Sequence, residues 1–318
     1  MKILVTGGAG FIGYHTCKEL LNQGHEVVVI DDLSTGTDRN VDHRSTLFEA
    51  DITLDSQDLV EAIDGADSII HLAAKVSVRE SIESPSLTSN VNLMGFINVA
   101  DKARLLGVKR IVYASSAAIY GDDTNFGLPS DESGIDYNPI SPYGLDKLTT
   151  EKYAILFHKL YGTQTIGLRY FNVYGPRQDP NSQYAGVIGK FISKALLDQP
   201  LTIFGDGEQR RNFVYVGDVA KVNAAAATGD GEFSKFQGIL NVGKPNGEIT
   251  LNQLVRKVNK VIDKPITVTY QDPVVGDIRI SVPGLINFCA TYANHASMHP
   301  LDDGLVHLVE YLRAATKG

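Results

Sequence analysis

Six short apolar runs separated by stretches of helical periodicity fill the first 170 residues: KILVT (2–6), EVVVI (26–30), STLFEA (45–50), SIIHLA (68–73), RIVYAS (110–115) and TIGLRYF (165–171). Runs so poor in polar positions suit strands covered on both faces, and helical spacers between them imply parallel crossovers. The strongest helical stretches are 10–23, 84–106 and 142–161. This alternation predicts an α/β fold on a doubly wound parallel sheet. After Phe171 the pattern loosens into a Gly/Pro/Asn-rich segment (172–186), a helix near 186–198, the runs LTIF and NFVYV, and helices at 216–228, 251–262 and 303–315. The predicted organisation is a larger unit over 1–171, a smaller α/β lobe over 172–318, and segments near 213–245 that return to the larger unit.

Composition narrows the class. Of 318 residues, 29 are Lys or Arg and 37 are Asp or Glu, a net charge of −8 that argues against a nucleic-acid-coating protein. Cys17 and Cys289, the only cysteines, make neither a disulfide framework nor a thiolate metal site. No apolar run approaches the roughly 20 residues that cross a bilayer. The opening MKILVTGG reads as a strand rather than a signal sequence, and a cytoplasmic protein is expected.

The segment TGGAGFIG sets Gly7, Gly10 and Gly13 between the first strand and the first helix, with Phe11 and Ile12 opening that helix. Glycines here serve a tight turn, a close backbone approach to a diphosphate, and close helix–strand packing, while the helix N-terminus faces the anion. Asp31 follows at the end of the second strand. A carboxylate there accepts ribose hydroxyls and repels a 2′-phosphate, so the pattern predicts a dinucleotide site that favours NAD over NADP. Asp32 is the weaker candidate, a turn-forming neighbour.

Tyr143 and Lys147 form a Tyr-x-x-x-Lys pair. Ser141 is a natural N-cap and Pro142 a natural first helical residue, so Tyr143 falls in the first turn and Lys147 one turn along the same face. A phenol is a weak base at neutral pH, and a neighbouring ammonium, a helix N-terminus and a nicotinamide cation all favour its ionised form. SSAAIYG (115–121) ends the fifth strand, where ligands of parallel sheets bind, and puts the hydroxyl of Ser116 where it could hydrogen-bond the ligand oxygen that Tyr143 would deprotonate. A second match, Tyr14 with Lys18, reads as a chance surface pair.

In this order TGGAGFIG, Asp31, Asp51-Ile52, HLAA (71–74), Asn90, SSAAIYG, YGLDK (143–147) and LRYFNVYGPR (168–177) resemble the extended short-chain dehydrogenase/reductase superfamily, and within it the nucleotide-sugar epimerases related to UDP-glucose 4-epimerase. The similarity runs from residue 1 to about residue 279. It implies a Rossmann-type sheet with a substrate-binding lobe, bound NAD, a nucleotide-sugar substrate and a homodimer paired through the helices near 84–106 and 142–161. It further implies that Asp51 and Ile52 contact adenine, that Ala73, Ala74 and Lys75 border the ribose and diphosphate, and that Ser116, Tyr143 and Lys147 are catalytic. Tyr170 and Phe171 would flank the nicotinamide, and Asn172 would hold a substrate phosphate. Arg211, in GDGEQRRNFVYVGDV, and Arg279, in GDIR, would bind the substrate diphosphate, while Ser281 would leave room at the sugar's C2 substituent. Asn90 would support the fold.

The chain departs from the family pattern at Val274, where an arginine is common, and through 281–300, which resists alignment. His295 and His299 have no clustered partner ligands and read as loop histidines rather than a metal pair; Cys289 reads as a packed side chain. Ala117 and Ala118 stand where the related dehydratases carry an acidic pair and decarboxylases carry glutamate, so C4 epimerisation is favoured over both, and the retention of Ser116, Tyr143 and Lys147 favours it over a non-catalytic NAD-binding protein.

Overall fold

The computed structural model describes residues 1–121, 137–179, 186–273 and 278–315. The first half runs through β1 (Lys2–Thr6), α1 (Phe11–Asn22), β2 (Glu26–Asp31), β3 (Thr46–Glu49), α2 (Gln57–Ile63), β4 (Ser68–His71), α3 (Val78–Glu83), α4 (Pro85–Ser89), α5 (Gly95–Leu105), β5 (Arg110–Ser116), α6 (Pro142–Tyr161) and β6 (Gln164–Tyr170). The second half adds β7 (Asn172–Tyr174), α7 (Val187–Leu196), β8 (Leu201–Phe204), β9 (Arg210–Tyr215), α8 (Val216–Thr228), β10 (Gly238–Val242), β11 (Glu248–Thr250), α9 (Leu251–Ile262), β12 (Val268–Gln271), β13 (Ile280–Ser281), α10 (Ile286–Thr291) and α11 (Leu301–Ala315).

A seven-stranded parallel sheet in the order β10-β6-β5-β4-β1-β2-β3 forms the larger unit. Strand order reverses between β1 and β4, which opens a crevice at their carboxyl ends. Alternate residues along each strand serve opposite faces. Ile3 and Val5 join Cys17, Leu20 and the alanines of α8 in one core. Leu4 joins Leu59, Ile63, Phe96 and Phe157 in the other. The smaller lobe has its own core, where α7, α9 and α11 cover β8 and β9.

β9 is the middle of a small sheet, in the order β11-β9-β13, with β7 also paired to it; its Val214 joins the core of the larger sheet, α8 packs on α1, and β10 pairs with β6. The helical stretch expected over 84–106 runs from Pro85 to Leu105 and carries an irregular turn within it. Between α4 and α5 lies a π turn, Asn90–Met94, whose extra residue turns Asn92 inward while Asn90 stays exposed. By contrast α6 begins as expected: Ser141 Oγ accepts from Gly144 N at 3.1 Å, and Gly162 closes the helix at φ 72°.

Candidate active site

At the crevice lies a cavity of about 900 Å³, at the upper end of the roughly 300–1,000 Å³ usual for ligand clefts. Gly7, Gly10, Phe11, Ile12, Gly13, Asp31, Asp51, Ile52, Ala73, Ala74, Lys75, Ser116, Tyr143, Lys147 and Tyr170 all line it. The backbone is as tight as a diphosphate loop requires: a β-carbon on Gly7 would stand 2.6 Å from Ala73 N, and one on Gly13 would stand 2.1 Å from Gly7 O. No side chain caps α1 and its first turn holds no acidic residue, so its leading N–H groups are left for an anion. Asp31 is buried at the rim; Oδ2 accepts from Ala9 N at 3.0 Å and Oδ1 from Leu33 N at 2.9 Å. Burial raises its carboxyl above the ordinary range, and these two bonds oppose the rise. These features fit a dinucleotide with its diphosphate at Gly10–Gly13 and a ribose at Asp31.

Ser116, Tyr143 and Lys147 line the far end. Ser116 closes β5 opposite Tyr170 of β6, and its Oγ accepts from Ala118 N at 3.1 Å. It is also hydrogen-bonded to Tyr143. Lys147 Nζ donates to Ala114 O at 2.9 Å and stands 5.9 Å from the Tyr143 ring centre. Burial pushes Lys147 down to about 8, while Asp146 and Glu151 pull the other way. Tyr143 departs from expectation: burial outweighs the Ser116 bond and raises the phenol. His71 lies beneath, held neutral by burial at about 3, with Nδ1 3.0 Å from Thr6 Oγ1.

Several supporting groups were not read from the sequence. Glu151, one turn beyond Lys147, accepts from Arg169 Nε and Nη2 at 2.8 and 2.9 Å and from Ser115 Oγ at 2.5 Å. Arg169 is fully buried and also donates to Tyr120 and Tyr137 at 2.8 and 2.7 Å. An arginine inside the apolar run TIGLRYF was the available signal, since a buried cation requires a partner. Asn92 takes the supporting role expected of Asn90: its amide accepts from Lys75 N at 2.8 Å and donates to Lys75 O at 3.0 Å. Tyr170 is fixed through Asn223, which reaches Thr16 in α1.

Residues 3–243 match the family model described as the NAD dependent epimerase/dehydratase family. The chain belongs to that family. Among solved structures, a UDP-glucose 4-epimerase of Thermotoga maritima with UDP-glucose superposes with a TM-score of 0.89 at 34% identity, covering 99% of this chain and 100% of that one. A UDP-N-acetylglucosamine 4-epimerase of Methanobrevibacter ruminantium in complex with UDP-N-acetylmuramic acid gives 0.88 at 33%, covering 99% and 98%. A UDP-glucose 4-epimerase of Thermus thermophilus in complex with NAD gives 0.86 at 35%, covering 99% and 100%.

Within this epimerase/dehydratase fold Ser116 lines the cavity, while the other expected substrate residues, Asn172, Arg211, Arg279 and Ser281, lie outside its wall, on or beside one small sheet. Asn172 pairs with Phe213, and Ser281 with Arg211. Three of them already have partners: Asn172 Nδ2 donates to Asn212 O at 2.9 Å, Arg211 Nη1 to Arg210 O at 3.0 Å, and Arg279 forks onto Asp206 at 2.6 and 2.9 Å. Phe171 does not line the cavity; it packs with Ile119 and Tyr120. Val274 lies outside the described residues. The segment 281–300 folds as β13, α10 and a short 3-10 turn, Ala293–Ser297. His299 is engaged by the Asp218 carboxylate at 2.8 Å and His295 by Tyr292 O at 2.8 Å. Cys289 is half-buried against the core.

Proposed function

We propose that this protein interconverts the C4 epimers of a nucleotide sugar, UDP-glucose with UDP-galactose and the corresponding N-acetylhexosamine pair, through a transient 4-keto sugar. The observation that carries this reading is the meeting of Ser116, Tyr143 and Lys147 on the wall of the same cavity as the diphosphate loop. NAD, when bound, supplies a hydride acceptor that returns the hydride in the same turnover, and a positive ring charge that favours the phenolate. The Tyr143 oxygen takes the proton of the sugar's 4-hydroxyl and later gives it back. Ser116, hydrogen-bonded to Tyr143, orients the sugar oxygen, and Lys147 supplies positive charge from its fixed seat on Ala114 O. The C4–H and O–H bonds are lost as the carbonyl forms and the flat sugar turns over; the C4–H bond is then remade on the opposite face of C4 while the oxygen regains its proton from Tyr143. Ala117 and Ala118 follow Ser116 with methyl groups only, which supports epimerisation over elimination of water. Ser281, half-buried beside Arg211, supports acceptance of a 2-acetamido group.

Purified protein incubated with UDP-glucose or UDP-N-acetylglucosamine, without added cofactor, is expected to form the 4-epimer of each, resolved by chromatography. Bound NAD with no turnover of either sugar would refute the reading.

A homodimer is part of the same proposal. Leu145, Leu156 and Leu160 are exposed along α6, and Leu87, Met94 and Leu105 along α4 to α5, although α5 and α6 are neighbours. An apolar face spread over two adjacent helices is the kind of surface a partner copy covers. Light scattering is expected to give twice the chain mass, and Leu156→Glu to halve it.

A further inference from the structure

Arg177 has no part in the roles above, yet the backbone goes out of its way to place it. Its φ is 68°, a left-handed conformation that a non-glycine residue keeps only where surrounding contacts impose it. Those contacts are specific. Nη1 donates to Asn40 Oδ1, and the guanidinium carbon lies 3.9 Å from the centre of the Tyr14 ring. The preceding carbonyl, Pro176 O, is 2.9 Å from His15 Nε2. Asn40 then donates its own amide to Ala9 O, inside the glycine loop, at 3.1 Å. The short segment after β7 is thereby fastened at two places: onto α1 just past the diphosphate cradle, and onto the turn that follows β2.

Arg177 and Asn40 line the same cavity as Gly10, Phe11 and Ile12. Among the described residues of that wall the cations are Lys75, Lys147 and Arg177. Lys147 is engaged at the reacting end, on Ala114 O. Lys75 stands on the wall near Ser34, with Nζ 3.5 Å from Ser34 Oγ. A guanidinium is planar and carries five donors, so one bond to Asn40 leaves others for a second acceptor in the same plane. Phosphate oxygens suit that fork.

We propose that Arg177 is a clasp for the cofactor's diphosphate, anchored on Tyr14 and Asn40, which keeps NAD on the protein throughout turnover. Epimerisation has no net redox, so a site that let go of its dinucleotide between the two halves of the reaction would strand an oxidised sugar. Retention is therefore a working requirement of this chemistry, and Arg177 shares the cavity wall with the glycine loop. The inference rests on the reading of the cavity as a dinucleotide site.

The test compares the parent with Arg177→Ala, Arg177→Lys and Asn40→Ala. Each protein is dialysed against cofactor-free buffer, its remaining nucleotide is released and quantified, and the stripped protein is titrated with NAD. Arg177→Ala is expected to lose most of its nucleotide and to bind NAD about ten- to a hundredfold more weakly, as for the loss of a charged hydrogen-bonding group. Arg177→Lys should fall between, keeping charge without the fork, and Asn40→Ala should show a smaller defect of the same sign. The stripped proteins should melt together, with the upward shift on adding NAD reduced in the variants. An Arg177→Ala protein that holds NAD as the parent does overturns the clasp, as does weaker binding accompanied by an equal loss of stability in the stripped form. A parent that neither carries nor takes up NAD overturns the cavity's reading and the clasp with it.

Discussion

In the larger unit the cofactor candidates come from the carboxyl ends of adjacent parallel strands and meet around a cavity that is already open. In the smaller lobe, Asn172, Arg211 and Arg279 come from separated segments, and their donors rest on backbone carbonyls or on Asp206. The first site is preorganised, and ligand contacts add to it without dismantling anything. In the second, donors are already committed within the protein, so a substrate contact made through one of them would replace an existing hydrogen bond and be worth correspondingly less. An enzyme that never exchanges its cofactor but releases its sugar every cycle benefits from that asymmetry.

The sharpest attempt to break the comparison is at the preorganised end. Tyr143→Phe removes the proton-moving oxygen while leaving the ring in place, and kcat is expected to fall about 10²- to 10⁴-fold, measured by epimer formation at saturating sugar. A loss below tenfold would mean that another group moves the proton and that the meeting of Ser116, Tyr143 and Lys147 is not the reacting centre.

The next largest effect concerns what holds that end rigid. Glu151→Ala leaves the fully buried Arg169 without its carboxylate, and unfolding is expected to become easier by about 3–5 kcal/mol. Glu151→Gln is the gentler probe, and its readout is the pH profile. Burial lowers Lys147 to about 8, and Glu151 is one of two carboxylates that raise it. Removing that charge lets Lys147 lose its proton at lower pH, so the alkaline limb of kcat/KM moves to lower pH. Glu151→Asp should restore part of the shift. An unmoved limb in Glu151→Gln would show that Glu151 braces the sheet without tuning the ammonium.

The same asymmetry governs what could be read from the sequence. The glycine loop, Asp31 and the Ser141-Pro142-Tyr143 helix start are short-range signals, each set by a turn, a cap or a strand end, and α6 and α9 fall over the ranges their periodicity gives. Six of the sheet's seven strands were equally legible, because buried parallel strands must be continuously apolar, whereas β10 at the sheet's edge was not read as a strand. What escaped depends on partners distant in the chain. Glu151 and Arg169 explain each other only once α6 lies on β5 and β6; Asn92 needs the π turn to face Lys75; Arg177 needs Asn40 and Tyr14. Nor does spacing reveal that Arg279 has Asp206 beside it, 73 residues away.

That last pair offers the smallest effect and the most direct test of self-satisfaction. Asp206 is held down to about 2, chiefly by its hydrogen bonds from Arg279, so it stays ionised and competes for the guanidinium throughout the working pH range. Both side chains are more than half exposed, and an exposed pair of this kind contributes little to stability. Asp206→Asn therefore has little to unfold, but it releases Arg279 for a diphosphate. KM for the nucleotide sugar is expected to fall by about two- to fivefold, with kcat little changed, because the released contact is made in ground state and transition state alike. If Arg279 is instead fixed in its binding pose by Asp206, the same substitution raises KM. The sign of that change decides whether the lobe restrains its arginines or aims them.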